Sequence, residues 1–450
     1  MKKLKQKLKK PTDLPYLNEV IFHAVIGFAI FTFRPLSLIY TFIILIYFII
    51  KIIRNPNSPF VVLQAAAYVM AAEVFLRMTG GFFFYETGKY AVILFMLFGL
   101  YFHNFKISAL IYIGFLLLLI PGVIVTFIDI SYETNFRKTI LFNLSGPICL
   151  LVSALYCYKR EIKLNQYLRL LDTMVLPIVA MATYLFFYTP DLQSVVTGAD
   201  SSYAASGGFG PNQVSTILGL GIFCLFVRLF LTYKNRLLRF VMYGVLAFFS
   251  FRALATLSRG GVFTAVIMSI FFLITFLRYA TPVAKAKGVA KIIVISLGAI
   301  AVWSVTLVAT NNMLYNKYTD RNASGVKQGN ITTGRIDIAQ ADFEAFEQNP
   351  LFGIGVGMGK FFRAQTEDIK AASHNEVTRL ISEHGLLGIL SILLLIAVPS
   401  IHFLTDNRNI FIVPLVLFWF LTINHSAMRI AAPGLIYGLA LLKVTFDNTN

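Results

Sequence analysis

The sequence predicts an all-α integral membrane protein of about 12–14 transmembrane helices, with one large extracytoplasmic loop that contains short helices. Three observations predict it. Hydrophobic residues make up 57% of the 450 positions, charged residues only 13%, and mean hydropathy is +0.74. A soluble domain carries roughly 45–50% apolar and about 25% charged residues. The apolar positions, 43 of them Phe, fall in runs of helical length, and a chain in lipid must satisfy its own backbone hydrogen bonds. The runs are too many for a signal peptide, and the ten-residue alternation of a β-barrel is absent.

Fourteen apolar segments are expected as spans, at about 19–33, 36–53, 59–77, 88–102, 107–128, 139–158, 167–188, 213–232, 236–257, 260–278, 288–310, 374–403, 409–423 and 430–446. A span needs about 20 residues, so the first and fourth are short. The basic residues fix the orientation. Six lysines stand in the first ten residues; Lys51 and Arg54, Lys159–Lys163 with Arg169, Lys234–Arg239, and Arg278–Lys291 fall in alternate loops. Cytoplasmic loops collect Lys and Arg, so the N-terminus and these loops are expected in the cytoplasm. The net charge of +18 is then a topological signal and gives no reason to expect nucleic acid. Cys149, Cys157 and Cys224 lie in apolar segments without metal spacing and read as small core residues.

This register divides the chain into N-terminal spans (1–310), an extracytoplasmic loop (311–373) and C-terminal spans (374–450). The loop holds seven basic and seven acidic residues and is long for a plain connector. Thr332 or Thr333 is a candidate N-cap for an amphipathic helix over 336–347, closed by Asn349-Pro350. The glycine-rich LFGIGVGMGK follows.

Charge beside lipid is costly, so its placement carries information. The unusual groups cluster at the expected outer face: Arg259 in TLSRGG, Arg335 in TGRID, His374 and Asn375 in SHNEV, Glu73 with Arg77, and His425 with Arg429. A guanidinium binds phosphate bidentately and keeps its charge. Gly260-Gly261 would let a substrate approach the backbone closely. A histidine near neutral pKa takes a proton from a hydroxyl. The set points to a polyanion site with a base. Plainer readings stand beside it: Arg259 equally reads as an interfacial residue reaching for lipid phosphate, Glu73 and Arg77 as a structural i,i+4 pair, and His23 and His402 as packing residues. His384, ten residues past His374, is turned about 80° away on the same helix. No His/Asp metal motif is present.

The ordered set TLSRGG, then TGRIDIAQADFEAFEQNPLFGIGVG, then SHN and ISEHGLLG, preceded by GGFGPNQVSTILGLG, resembles the O-antigen ligase and polymerase superfamily over roughly residues 200–395. The resemblance implies a GT-C-like, inverting, metal-independent glycosyltransferase that needs no cofactor. Its donor would be a glycan on undecaprenyl pyrophosphate, its acceptor lipid A–core or another glycan or protein hydroxyl, and its surroundings the lipids of a bacterial inner membrane. It assigns Arg259 and Arg335 to the pyrophosphate and His374 to acceptor activation. Asn375, Arg77 and Arg429 are supporting candidates. The chain departs from the pattern in having the aliphatic Ile336 and Ile338 after the loop arginine. Ligation to lipid A–core is the leading expectation. Polymerisation of repeat units and O-linked protein glycosylation are the alternatives. A polysaccharide transporter or flippase is a further one, disfavoured because its charges would sit near the midplane.

Overall fold

The computed structural model describes residues 13–129, 136–231, 235–327, 335–366, 373, 375–406 and 409–445. Thr332, Thr333, His374 and the N-terminal lysines lie outside the described residues. The first helices are α1 (Asp13–Thr32), α2 (Leu36–Arg54), α3 (Pro59–Met78), α4 (Thr87–Phe102), α5 (Ile111–Asp129) and α6 (Phe136–Cys157). After the short strand β1 (Glu161–Lys163) come α7 (Leu164–Tyr188), α8 (Leu192–Val195), α9 (Pro211–Leu231), α10 (Arg236–Ala255), α11 (Arg259–Tyr279), α12 (Pro282–Ala309) and α13 (Met313–Tyr318). The chain ends with α14 (Arg335–Gln348), α15 (Gly359–Thr366), α16 (Glu376–Thr405), α17 (Ile412–His425), α18 (Ala432–Ala440) and strand β2 (Lys443–Thr445).

Among the described residues, 11 helices are long and apolar enough to cross a membrane, and two more, α4 and α17, are apolar but shorter. The expected fourteenth span is not one. Helix α18 has nine residues, roughly 14 Å at 1.5 Å per residue, and about 30 Å is needed. All nine are buried, so α18 is covered by protein along its length. The chain then leaves the helix and enters β2. Helix α12 is the opposite case: 28 residues with only 6% of its most apolar stretch buried, a surface that lipid would cover.

The chain forms two compact units, Met1–Tyr85 with Glu161–Gln328 and Val444–Asn450, and Glu86–Arg160 with Gly329–Lys443. In the first, α7 packs on α1 and α3, and α9 packs on α10 and α11. Helix α9 is buried nearly all round, as a central helix with apolar residues on every face must be. In the second unit, Tyr112, Phe115, Leu395, Trp419 and Tyr437 form the centre of an aromatic core. Tyr437 spans it, donating to the Leu395 carbonyl at 2.9 Å, which satisfies a hydroxyl that would otherwise be costly to bury.

Candidate functional site

In the first unit, Arg259 is the first residue of α11. The N-cap Ser258 donates its hydroxyl to Asn212 Oδ1 at 2.8 Å, and its carbonyl accepts from Ser215 Oγ at 2.9 Å. Both partners lie on the first turns of α9, so the N-termini of two helices running in the same direction are tied together beneath Arg259. Gly261 has a different role from the one its motif suggests. A Cβ there would collide with the Ser215 carbonyl, so the backbone brought close to it is that of α9. Arg259 itself is half-exposed and donates to the Lys317 carbonyl at 3.4 Å, just before the end of α13. Burial pushes the neighbouring Tyr318 hydroxyl up to about 12, against the pull of Arg259, so Tyr318 stays protonated beside it.

Two other arginines at this end of the unit are enclosed. Arg77 pairs with Glu73 one turn back, and its guanidinium stacks on the Tyr85 ring at 4.0 Å. Arg252 was not singled out by the sequence. It is buried on the last turn of α10 and donates to the Leu185 carbonyl at 2.8 Å and to Thr189 Oγ1 at 2.7 Å. The Leu185 carbonyl also accepts from Thr189 N at 3.1 Å, so Arg252 reinforces a helix end that the chain itself has closed.

In the second unit, Arg335 is the first residue of α14. Asp342, two turns on, is buried; it pairs with Arg363 of α15 and accepts from Thr378 Oγ1 of α16 at 2.7 Å. Further along, Leu386 N donates to the Pro350 carbonyl at 2.8 Å and Ile354 N to the Ser382 carbonyl at 2.9 Å. Helices α14 and α16 therefore run side by side in the same direction, with their N-termini at one end. Gly385 makes the Leu386–Pro350 contact possible. Its φ of +62° breaks the helix locally, and a Cβ there would press into the Pro350–Leu351 backbone. The glycine-rich strap after α14 is thus a packing device against α16.

The start of α16 is held from several sides. Asn375 caps it, accepting from Val377 N at 2.9 Å and Thr378 N at 3.4 Å, so its side chain is engaged in helix capping. Ser373 Oγ accepts from Asn375 N at 3.2 Å, and the Ser373 carbonyl accepts from Arg429 at 3.3 Å. Glu376 accepts from Met428 N at 3.4 Å and pairs with Arg379, which also bonds the Asn143 side chain. Lys89 is fully buried; it pairs with Glu86 and donates to Ser145 at 2.7 Å and to the Met428 carbonyl at 3.3 Å. The start of α16 is thus fixed by α6 and by the turn before α18, to which Lys89 ties α4.

Burial raises the Asp342 carboxyl above its usual range, against the Thr378 hydroxyl and the Arg363 charge. Arg379, Asp342, Arg363 and Lys89 were not among the sequence candidates. A signal existed for one of them: Glu376, Arg379 and Glu383 stand at helical spacing in the first turns of an otherwise apolar 30-residue helix. His384, buried on the same helix, has an Nδ1 without a hydrogen-bond partner among the described residues.

Electrostatically, the first unit presents a half-exposed guanidinium at a helix start, and the second has two parallel helix starts. Such termini carry unsatisfied N–H groups and favour anions. No curated protein matches the chain. A family model described as O-antigen ligase matches residues 245–393, from within α10 to within α16. That third of the chain contains Arg259, Arg335, His374 and Asn375, with Arg77 and Arg429 outside it, and the match supports membership of the O-antigen ligase superfamily.

Proposed function

We propose that this membrane protein is a ligase that transfers a polysaccharide from undecaprenyl pyrophosphate to lipid A–core, on the outer side of the bacterial inner membrane. The match to O-antigen ligase over residues 245–393 carries the reading and supports glycosyltransferase activity of the ligase and polymerase kind. Its chemistry is a direct, metal-independent displacement. The acceptor hydroxyl oxygen attacks the anomeric carbon from the face opposite the pyrophosphate, with inversion. A new glycosidic C–O bond forms as the bond to the pyrophosphate oxygen breaks. His374 takes the hydroxyl proton. Arg259 and Arg335 hold the departing pyrophosphate, and fixed cations act most where negative charge develops.

The parallel start of α14 and α16 supports this assignment. Arg335 opens one helix, residue 374 directly precedes the cap of the other, and Asp342 links the two. Arg429 and Arg77 serve the framework in this reading, and Asn375 acts by capping.

The test is the surface-glycan profile of a deletion strain complemented with wild type or His374→Ala. Loss of all glycan from lipid A–core, single repeats included, is expected of a ligase. Retention of one repeat with loss of long chains would identify a polymerase. An unchanged profile would refute transfer to either glycan acceptor.

A further inference from the structure

The end of the first unit opposite Arg259 contains a cavity of about 440 Å³. It is walled by α1, α2, α3, α7, α9 and α10. The same helices that bring Arg77, Arg252 and the Asn212 turn to one end bring Lys51, Arg169 and Arg228 to the other. We propose that this cavity is a binding site for a phosphate ester group, separate from the glycan-transfer site.

Its charge and hydrogen bonding carry the argument. Three cations, Lys51, Arg169 and Arg228, face two carboxylates, Glu19 and Asp172. Arg228 is tied to Asp172 at 2.7 Å in the wall. Lys51 donates to the neutral Gln64 Oε1 at 2.9 Å, and Arg169 is exposed with no ion-pair partner among the described residues. The excess is one positive charge, as a phosphodiester requires. The space holds far more than a water, whose share of liquid volume is about 30 Å³. Basic pockets between transmembrane helices are a recurrent form of lipid headgroup site.

The rim indicates how such a group arrives. Tyr47 is 54% exposed at the mouth, and the α2 face leading from it is apolar and open, with Ile43, Ile46 and Ile50 all exposed. A tyrosine at this position suits the boundary between headgroup and acyl chain. Phosphate carried on a phospholipid would enter with its tails along α2. Phosphate on a soluble metabolite would use the same cations without the tails.

The site is tested by native mass spectrometry of the delipidated full chain, titrated with dioleoyl phosphatidylglycerol, dioleoylglycerol or glycerol 3-phosphate. One phosphate-bearing ligand per chain is expected, and dioleoylglycerol, which lacks the phosphate, is not retained. Phosphatidylglycerol binding at least tenfold tighter than glycerol 3-phosphate assigns the site to lipid; the reverse order assigns it to a soluble ester. Lys51→Gln/Arg169→Gln should lower the affinity for the preferred ligand about tenfold, with Lys51→Arg/Arg169→Lys near wild type. Glu19→Gln should raise it several-fold by removing a facing carboxylate, and this variant keeps the test valid if the double variant does not fold. Equal retention by wild type and the neutralised double variant, or retention of dioleoylglycerol equal to that of phosphatidylglycerol, overturns the proposal. So does the absence of an effect at Glu19.

Discussion

Replacing Asp342 with Leu should destabilise the second unit severely, and replacing Arg363 with Met at the same time should restore much of the loss. The side chains of Arg363 and Asp342 are 3% and 1% exposed, so neither charge is well solvated. Removing one member of such a pair leaves the other buried and uncompensated, at a cost of about 3–5 kcal/mol. Thr378 also loses its 2.7 Å acceptor and keeps only a longer bond to the Asn375 carbonyl at 3.4 Å, which adds to the cost. The unit spans roughly 190 residues, a size at which 1 kcal/mol moves the melting temperature by about 2–4 °C. A cost near 3 kcal/mol therefore lowers it by about 6–12 °C. The assay is thermal unfolding of the purified protein in detergent, for wild type, both single variants and the double. The double variant has no stranded charge and should recover at least half of the loss. A single variant within 2 °C of wild type would refute the buried-pair argument. A double variant no better than the worse single would refute the pairing.

The same carboxylate gives a pH dependence. Its folded pKa is raised, so the stability it contributes is present below the unfolded aspartate value of about 3.9 and is lost as pH rises through the folded value. The melting-temperature difference between wild type and Asp342→Asn should therefore shift against wild type from pH 4 upward; a shift the other way contradicts the raised pKa. His374→Ala should abolish transfer in a protein that elutes and melts as wild type does, and retained activity would remove the base assignment. Arg335→Lys should lose activity by about 10²-fold, since a lysine cannot reproduce bidentate phosphate binding, and wild-type turnover would exclude that binding mode. Gly385→Ala should destabilise by about 1–3 kcal/mol through its positive φ and the strap backbone beside it, read as a lower melting temperature.

Much of the fold was legible because lipid imposes a simple rule. A run of apolar residues long enough to cross must be a helix, and α2, α3, α7, α9 and α11 stand where such runs occur. The loop helix was legible too: periodicity placed it at 336–347, and it spans Arg335–Gln348. The rule fails at α18, because hydropathy cannot tell a segment covered by lipid from one covered by protein. GLIYGLA is apolar enough for either, and packing decides. The candidate site was legible only where motif order carried it. Gly261 illustrates the limit. From sequence it reads as an opening for substrate, whereas close approach of any backbone requires the same glycine, and here that backbone is α9. Asp342 and Arg363 escaped notice because their partners are distant in the chain. A charge's meaning depends on its neighbours, and 21 residues separate Asp342 from Arg363.

Burial separates the cations into those that hold the structure and those that face outward. Lys89, Arg252 and Arg363 are almost wholly enclosed, and each meets a carboxylate or a carbonyl within the protein. Desolvating a guanidinium or an ammonium is so costly that those bonds compensate the burial with little to spare for a substrate. Arg77 belongs with them, its charge shared between Glu73 and the Tyr85 ring. Arg259 differs in kind. It is half-buried at the start of α11, and its guanidinium donates to the Lys317 carbonyl in a long bond of 3.4 Å. A guanidinium with part of its surface open to water can exchange that water for phosphate oxygens, a trade that gains strength as negative charge builds on a leaving group. The same reasoning applies to Lys51 and Arg169 at the opposite end of the first unit, and it separates both places from the enclosed arginines.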